Sequence, residues 1–287
     1  MLISDKGPVF VGNFNGFFSR VEYDLLKTPY FNEILKCLSI PGAVEVLIKR
    51  SDYVGMKSFQ VFLASKFISE GKKVAIISHS PDSNRYLKLK FDMLESPQKG
   101  LEEIKYFSFD NREKLMSQKW DLILVQYVSD FRTVKSRKFI EELRHKNSSD
   151  NGKILIQDKP RTENCLLSEL YEASDQNNYL VSCLHCNHPQ RLRWEQVRRN
   201  KFLYAWYECT ECGKAIQEKD KVNMLQTGMW KEKVTGSVTR GFHLNSLYSP
   251  FISWIDLYVR FHECKASANP AAGLKTFTTM SLAENGE

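Results

Sequence analysis

Two cysteine pairs constrain this 287-residue chain more than any other feature. Cys183-Leu-His-Cys186 and Cys209-Thr-Glu-Cys212 are C-x-x-C knuckles with 22 residues between them. Each knuckle can present two thiolates to one ion, and a tetrahedral Zn²⁺ joins two knuckles into a closed structural site with no open coordination position. Such a centre organises the chain and does no chemistry. Four thiolates satisfy the ion, which leaves His185 and His188 as bystanders, and Cys37, Cys165 and Cys264 read as small apolar residues without partner spacing. Metal-binding cysteines fit a reducing compartment. Met1 to Phe10 lacks the basic start and apolar run of a signal peptide, so the expected location is the cytoplasm.

Upstream of the knuckles, residues 43–158 alternate short β-branched runs with helical stretches, the pattern of an α/β protein with a mainly parallel sheet and helical crossovers. The expected strands are Val44–Lys49, Lys73–Ser78, Ile104–Phe109, Asp121–Val128 and Lys153–Gln157. Phe59, Phe62, Leu63 and Phe67 recur at helical spacing, and Ser80-Pro81 has the form of a helix start. The polar run Lys146–Gly152 reads as an exposed loop. Ser253-Trp-Ile-Asp256 reads as a capping box before an amphipathic helix carrying Leu257, Tyr258 and Phe261. No apolar run approaches the ~20 residues of a membrane helix, so no membrane partner is expected.

The net charge of +7 is concentrated near the cysteines, where residues 183–240 hold 11 basic and 6 acidic side chains. A basic patch suits a polyanion and equally a solvated face. Between the knuckles run Arg191, Arg193, Arg198, Arg199 and Lys201, interleaved with Trp194, Tyr204 and Trp206. The cations can grip a nucleic-acid backbone, duplex DNA above all, while the aromatics are expected to fill the core of the small ribbon.

Lys153-Ile-Leu-Ile-Gln-Asp-Lys-Pro160, Leu170-Tyr-Glu-Ala-Ser-Asp175 and Tyr179-Leu-Val-Ser-Cys-Leu-His-Cys186 resemble, in order, the stretch of lambda-type phage terminase large subunits that leads into their zinc ribbon. Tyr207-Glu-Cys-Thr-Glu-Cys-Gly213, Gly228-Met-Trp230, Gly241-Phe-His-Leu-Asn-Ser-Leu-Tyr-Ser-Pro250 and Phe277-Thr-Thr-Met-Ser-Leu-Ala-Glu284 continue the resemblance, and Thr28-Pro-Tyr30 matches it upstream. It implies a P-loop-NTPase-like sheet with helices on both faces plus a small zinc ribbon. The implied divisions are a lead-in segment (1–42), an ATPase-like domain (43–180), the ribbon (181–216) and a C-terminal extension (217–287) toward a nuclease domain expected to be absent. The resemblance further implies ATP and Mg²⁺, duplex DNA, a small terminase subunit and a capsid portal as partners, and a bacterial host cell.

The nucleotide motifs depart from that family. A phosphate loop needs a glycine-rich strand-to-helix turn, then Lys for charge and Ser/Thr for Mg²⁺. Arg50-Ser-Asp-Tyr-Val-Gly-Met-Lys-Ser58 stands in that place, with Arg50, Gly55, Lys57 and Ser58 as candidate nucleotide ligands. Met56, however, sets Lys57 and Ser58 one residue late, and Asp52 adds a negative charge. Where the family's apolar strand ends in adjacent carboxylates, this chain has Gln126-Tyr127, and Asp158-Lys159-Pro160 replaces a Ser-Thr-Pro coupling motif. Three readings follow: a packaging ATPase portion with degenerate motifs, a non-hydrolysing terminase-derived module for DNA or protein, or a prophage remnant with no selected activity. Asp121 lies at the wrong end of its strand to replace the lost pair, and Asp130 could do so only through a turn.

Overall fold

A computed structural model describes residues 3–4, 7–14, 17–22, 24–92, 104–130, 134–161 and 165–285. At the N-terminus β1 (Ile3–Ser4), β2 (Gly7–Phe14) and β3 (Phe17–Glu22) form an antiparallel sheet, followed by α1 (Phe31–Ser39). The body then alternates β4 (Val44–Arg50), α2 (Met56–Ser69), β5 (Val74–Ser78), α3 (Pro81–Asp92), β6 (Ile104–Ser108), α4 (Arg112–Met116), β7 (Leu122–Gln126), α5 (Val134–Asp150), β8 (Lys153–Asp158), α6 (Leu166–Glu172) and β9 (Asn177–Ser182). The knuckle region holds β10 (Pro189–Arg191), β11 (Val197–Arg199), β12 (Ala205–Glu208) and β13 (Ala215–Gln217). The rest comprises α7 (Lys221–Gln226), β14 (Met229–Lys231), β15 (Arg240–Leu244), α8 (Trp254–Lys265), α9 (Pro270–Phe277) and a π turn at Thr278–Leu282.

The central sheet runs β10-β9-β15-β4-β8-β7-β5-β6, with β14 on β9. Its pairings from β9 to β6 are parallel, while β10 and β14 join β9 antiparallel. The expected mixed α/β fold with a mainly parallel sheet is what forms, and strand periodicity explains why. Val46, Ile48, Ile76, Leu124 and Leu155 enter one buried cluster with α1, α2 and α8. Their neighbours Leu47, Ala75, Ile77, Val125 and Ile156 enter a second with α5 and α6. Alternate residues point to opposite faces of a strand, so strands apolar at every position require helices on both sides.

Helix α2 fills the span expected from the Phe59–Phe67 stripe, and Phe59 stacks on Phe31 with ring centroids 4.2 Å apart. Helix α8 opens with the expected capping box, in which the Ser253 side chain accepts from the Asp256 N–H and Asp256 accepts from the Ser253 N–H. The expected loop at Lys146–Gly152 is corrected: α5 continues to Asp150. A Lys146–Asp150 ion pair at 2.9 Å and the burial of Asn147 hold its last turn, and the left-handed Asn151 ends it. The strand expected over Asp121–Val128 ends at Gln126, because Tyr127 takes a left-handed φ of 55° and Val128–Asp130 wind into a 3₁₀ turn.

Phe59→Ala removes a fully buried ring and should lower unfolding free energy by roughly 3–5 kcal/mol. Ser253→Ala, which removes only the cap, should lose about 1 kcal/mol. Urea titrations of both variants check the pair.

Candidate nucleotide site and metal centre

In open parallel sheets, ligands lie beyond the carboxyl ends of the strands. Here the ends of β4, β7, β8 and β15 meet the β4–α2 loop. Gly55 caps α2 in the left-handed region at φ 79°, a conformation that favours glycine, and Tyr53 shares that region at φ 64°. The loop is pinned from several sides. The Tyr30 hydroxyl donates to Val54 O at 2.9 Å, and the Asp52 N–H donates to Met280 O at 2.8 Å. The Ser246 hydroxyl donates to Asp52 O at 2.8 Å.

Of the four candidate nucleotide residues, Arg50 is buried and turned toward β8, with Nε 2.8 Å from Gln157 Oε1. Lys57 and Ser58 instead stand exposed on the first turn of α2. Asp52 sits 3.6 Å from Arg50 and 3.0 Å from Lys159. At the end of β7, Gln126 is buried opposite Gln157, and its Nε2 has no hydrogen-bond partner among the described residues. Burial raises the Tyr127 phenol above its ordinary range.

The buried carboxylate of this cluster is Asp158, whose role is not apparent from the sequence. Its Oδ2 accepts the Ser129 N–H at 2.9 Å, and burial raises its carboxyl above the usual range while Arg50 pulls the other way. Pairing of β8 with β4 and β7, which sets Asp158 opposite Lys49 and Gln157 opposite Gln126, is the signal that would have drawn attention to it. Asp121 lies at the opposite edge and accepts the Lys73 N–H at 2.8 Å. Arg50, Lys159 and Arg161 thus stand near Asp52 and Asp158.

Residues 278–285 run over the same edge. Asn285 Oδ1 accepts from Lys49 Nζ at 3.1 Å and from the Ser168 hydroxyl at 2.7 Å. His243, fully enclosed, has Nε2 3.0 Å from Ala283 O and Nδ1 3.2 Å from Arg191 Nη2. Arg191 has only N–H groups to offer, so Nδ1 accepts and the ring is the neutral Nε2–H tautomer.

The four knuckle cysteines converge, with all sulfurs within 4.8 Å of one another. Cys183 and Cys212 are 3.9 Å apart, and Cys186 and Cys209 3.8 Å. A tetrahedral ion with metal–sulfur bonds of ~2.3 Å has sulfur–sulfur edges of about 3.8 Å, so the set can hold a metal ion. The His185 N–H points at Cys183 Sγ and the Glu211 N–H at Cys209 Sγ, both at 3.4 Å. Burial pushes the Cys209 thiol up, but the Cys212 and Glu211 N–H groups outweigh it and bring the group to about 6. The His185 ring contacts Ala215 O at 3.1 Å. The first knuckle is the turn between β9 and β10, strands of the central sheet, whereas the second joins β12 to β13 in a separate three-stranded sheet.

The five cations between the knuckles are not equivalent. Arg191 turns inward to His243 and to Glu284 at 3.4 Å. Arg193 is exposed. Arg198 pairs with Glu208 at 2.8 Å, Arg199 lies over the Tyr258 ring, and Lys201 lies over Phe202. Trp194 packs among Tyr258, Phe261 and Phe277, as a core residue should. Tyr204 is 44% exposed and so is not ribbon core.

This geometry defines a mixed α/β protein of the parallel-sheet class with a four-cysteine centre. Residues 126–230, from the end of β7 through all four cysteines to Trp230, match the family described as phage terminase large subunit gpA, ATPase domain. Solved structures similar to the chain include the large terminase ATPase domain of Thermus phage P74-26, with 12% identity, TM-score 0.49, and coverage of 84% of this chain and 88% of that one. An arginine-to-alanine mutant of that domain gives 11%, 0.48, 85% and 89%. The flagellar accessory protein FlaH of Methanocaldococcus jannaschii gives 16%, 0.32, 44% and 67%. No curated protein matches the sequence. Among the described residues no helix is long and apolar enough to cross a membrane.

Burial, with Arg191 and Lys49 nearby, lowers the His243 imidazole well below its ordinary 6.5. A depressed folded-state value means stability present above pH 6.5 and lost as pH falls below it. Below that point His243 should contribute a loss approaching about 1.4 kcal/mol per pH unit. His243→Gln, which retains one donor and one acceptor, should flatten the fall between pH 7 and pH 5.5 in paired urea titrations.

Proposed function

We propose that this chain is a terminase-like DNA-packaging protein that corresponds to the ATPase portion, has lost hydrolysis, and acts as a zinc-stabilised DNA-binding module. The observation that carries the loss is the end of β7. Phosphoryl transfer relies on anchored Mg²⁺, cationic charge at the phosphates and an oriented water. Gln126 and Tyr127 occupy the positions that would supply carboxylates, and neither side chain anchors Mg²⁺ or activates water. Asp158 does not replace them in this reading, because it is buried and holds the Ser129 N–H.

The loop supports the same reading. Arg50 is committed to Gln157, and Asp52 neutralises cationic charge where a phosphate would need it. Arg50, Gly55, Lys57 and Ser58 remain the nucleotide ligands to test. Purified protein with Mg²⁺ and ATP should release no phosphate above background, and Gln126→Asp with Tyr127→Glu should recover little, since Met56 still displaces Lys57. Robust turnover abolished by Lys57→Ala would refute the proposal.

The thiolate spacing supports Zn²⁺ at Cys183, Cys186, Cys209 and Cys212. Structural zinc supplies on the order of 10 kcal/mol of folding free energy in such modules. Elemental analysis should find one zinc per chain, and chelation or Cys209→Ser should unfold the knuckle region by circular dichroism. DNA contact is assigned to the basic face of that region, with Arg193, Arg198, Arg199 and Lys201 as its reachable cations. A small terminase subunit and a capsid portal are the partners that the family resemblance suggests.

A further inference from the structure

The turn between β11 and β12 displays apolar side chains that the fold does not use. Phe202 is 78% exposed, Leu203 59% and Tyr204 44%. The turn itself is well made: Asn200 Oδ1 accepts both the Phe202 N–H at 2.9 Å and the Tyr204 N–H at 3.1 Å, and the Asn200 N–H donates to Tyr204 O at 3.0 Å. Leu203 takes a left-handed φ of 58°, where glycine would fit without strain. A leucine held there with its side chain in water, beside an exposed phenylalanine, is a local conflict of the kind that marks a contact surface.

The charge around the tip points to the kind of partner. Arg198-Arg-Asn-Lys-Phe-Leu-Tyr204 contains three cations and no acid. Arg199 and Lys201 lie over aromatic rings, and among the described residues neither has a carboxylate at ion-pair distance. The Tyr204 and Trp206 rings stand nearly parallel, 28° apart in plane. Exposed ring faces interleaved with cations match a strand that alternates bases with phosphates.

We propose that the Arg198–Tyr204 tip is a base-stacking contact for DNA with unstacked bases, either single-stranded or frayed at a duplex end. Phe202 would stack on a base, Leu203 would wedge beside it, and Arg199 and Lys201 would take the flanking phosphates. This rests on the nucleic-acid reading of the knuckle region above and assigns it a substrate form and a set of atoms.

Fluorescence anisotropy with labelled oligo-dT, and with the same strand annealed to oligo-dA, tests it. Wild-type protein should prefer the single strand. Phe202→Ser with Leu203→Ser should weaken that binding between about 5- and 150-fold, the range for one stacked base, while leaving the slope of log K against log salt unchanged. Arg199→Ala with Lys201→Ala should instead flatten the slope. Phe202→Ser alone is the second variant, and zinc content reports that each protein is folded. Equal binding by the wild type and both tip variants overturns this inference and leaves the DNA reading standing. No binding to either DNA by zinc-loaded wild type overturns both. Tip-dependent binding to phosphatidylcholine–phosphatidylserine vesicles without DNA binding would assign the tip to a lipid surface and also overturn the proposal.

Discussion

Strand β4 is the constraint on which the rest depends. It pairs in parallel with β8 on one side and β15 on the other, and its inner residues are buried on both faces. Parallel pairing cannot be closed by a tight turn, so each partner must arrive through a long crossover. β8 is contributed from about a hundred residues downstream and β15 from about two hundred. Where β4 ends, those distant segments meet, and that meeting sets Arg50, Gln157 and Asp158 side by side.

What gathers there is a set of charges of both signs. Buried ions are costly unless paired and hydrogen-bonded. Arg50 is 5% exposed and Asp158 1%; Arg50 donates to Gln157 on β8 and to Ser51 O, and Asp158 accepts from Ser129 in the turn after β7. The arrangement differs from a phosphate loop in charge as well as in sequence. A polyphosphate needs an excess of donors and positive charge, whereas here Asp52 takes up part of that charge by pairing with Arg50 and Lys159. Gln126 has a buried amide nitrogen with no hydrogen-bond partner among the described residues.

Much of this was legible from residues alone. Runs such as Leu122-Ile-Leu-Val125 and Ile154-Leu-Ile156 are apolar at every position because they are buried on both faces, and the spacing of the two knuckles points to their convergence. The rest was hidden for physical reasons. Lys146–Gly152 has loop composition, yet an ion pair one turn apart and a buried Asn147 keep it helical. Asp158 looked like a departure from a motif, since only strand register shows that it enters the core. Arg191 was counted among surface cations, but its partners His243 and Glu284 lie 52 and 93 residues away in the chain. The exposed Phe202 and Leu203 carry no periodic signal, because a hairpin tip has no face.

Residues 278–285 tie three parts of the molecule with separate contacts. Met280 takes the Asp52 N–H, Asn285 takes the Lys49 ammonium, and Glu284 reaches Arg191 on the strand that leaves the first cysteine knuckle. One short segment is thus fastened at three separate points. A displacement of this segment therefore bears directly on the β4–α2 loop and on the hairpin that carries the first cysteine knuckle, without passing through the sheet between them.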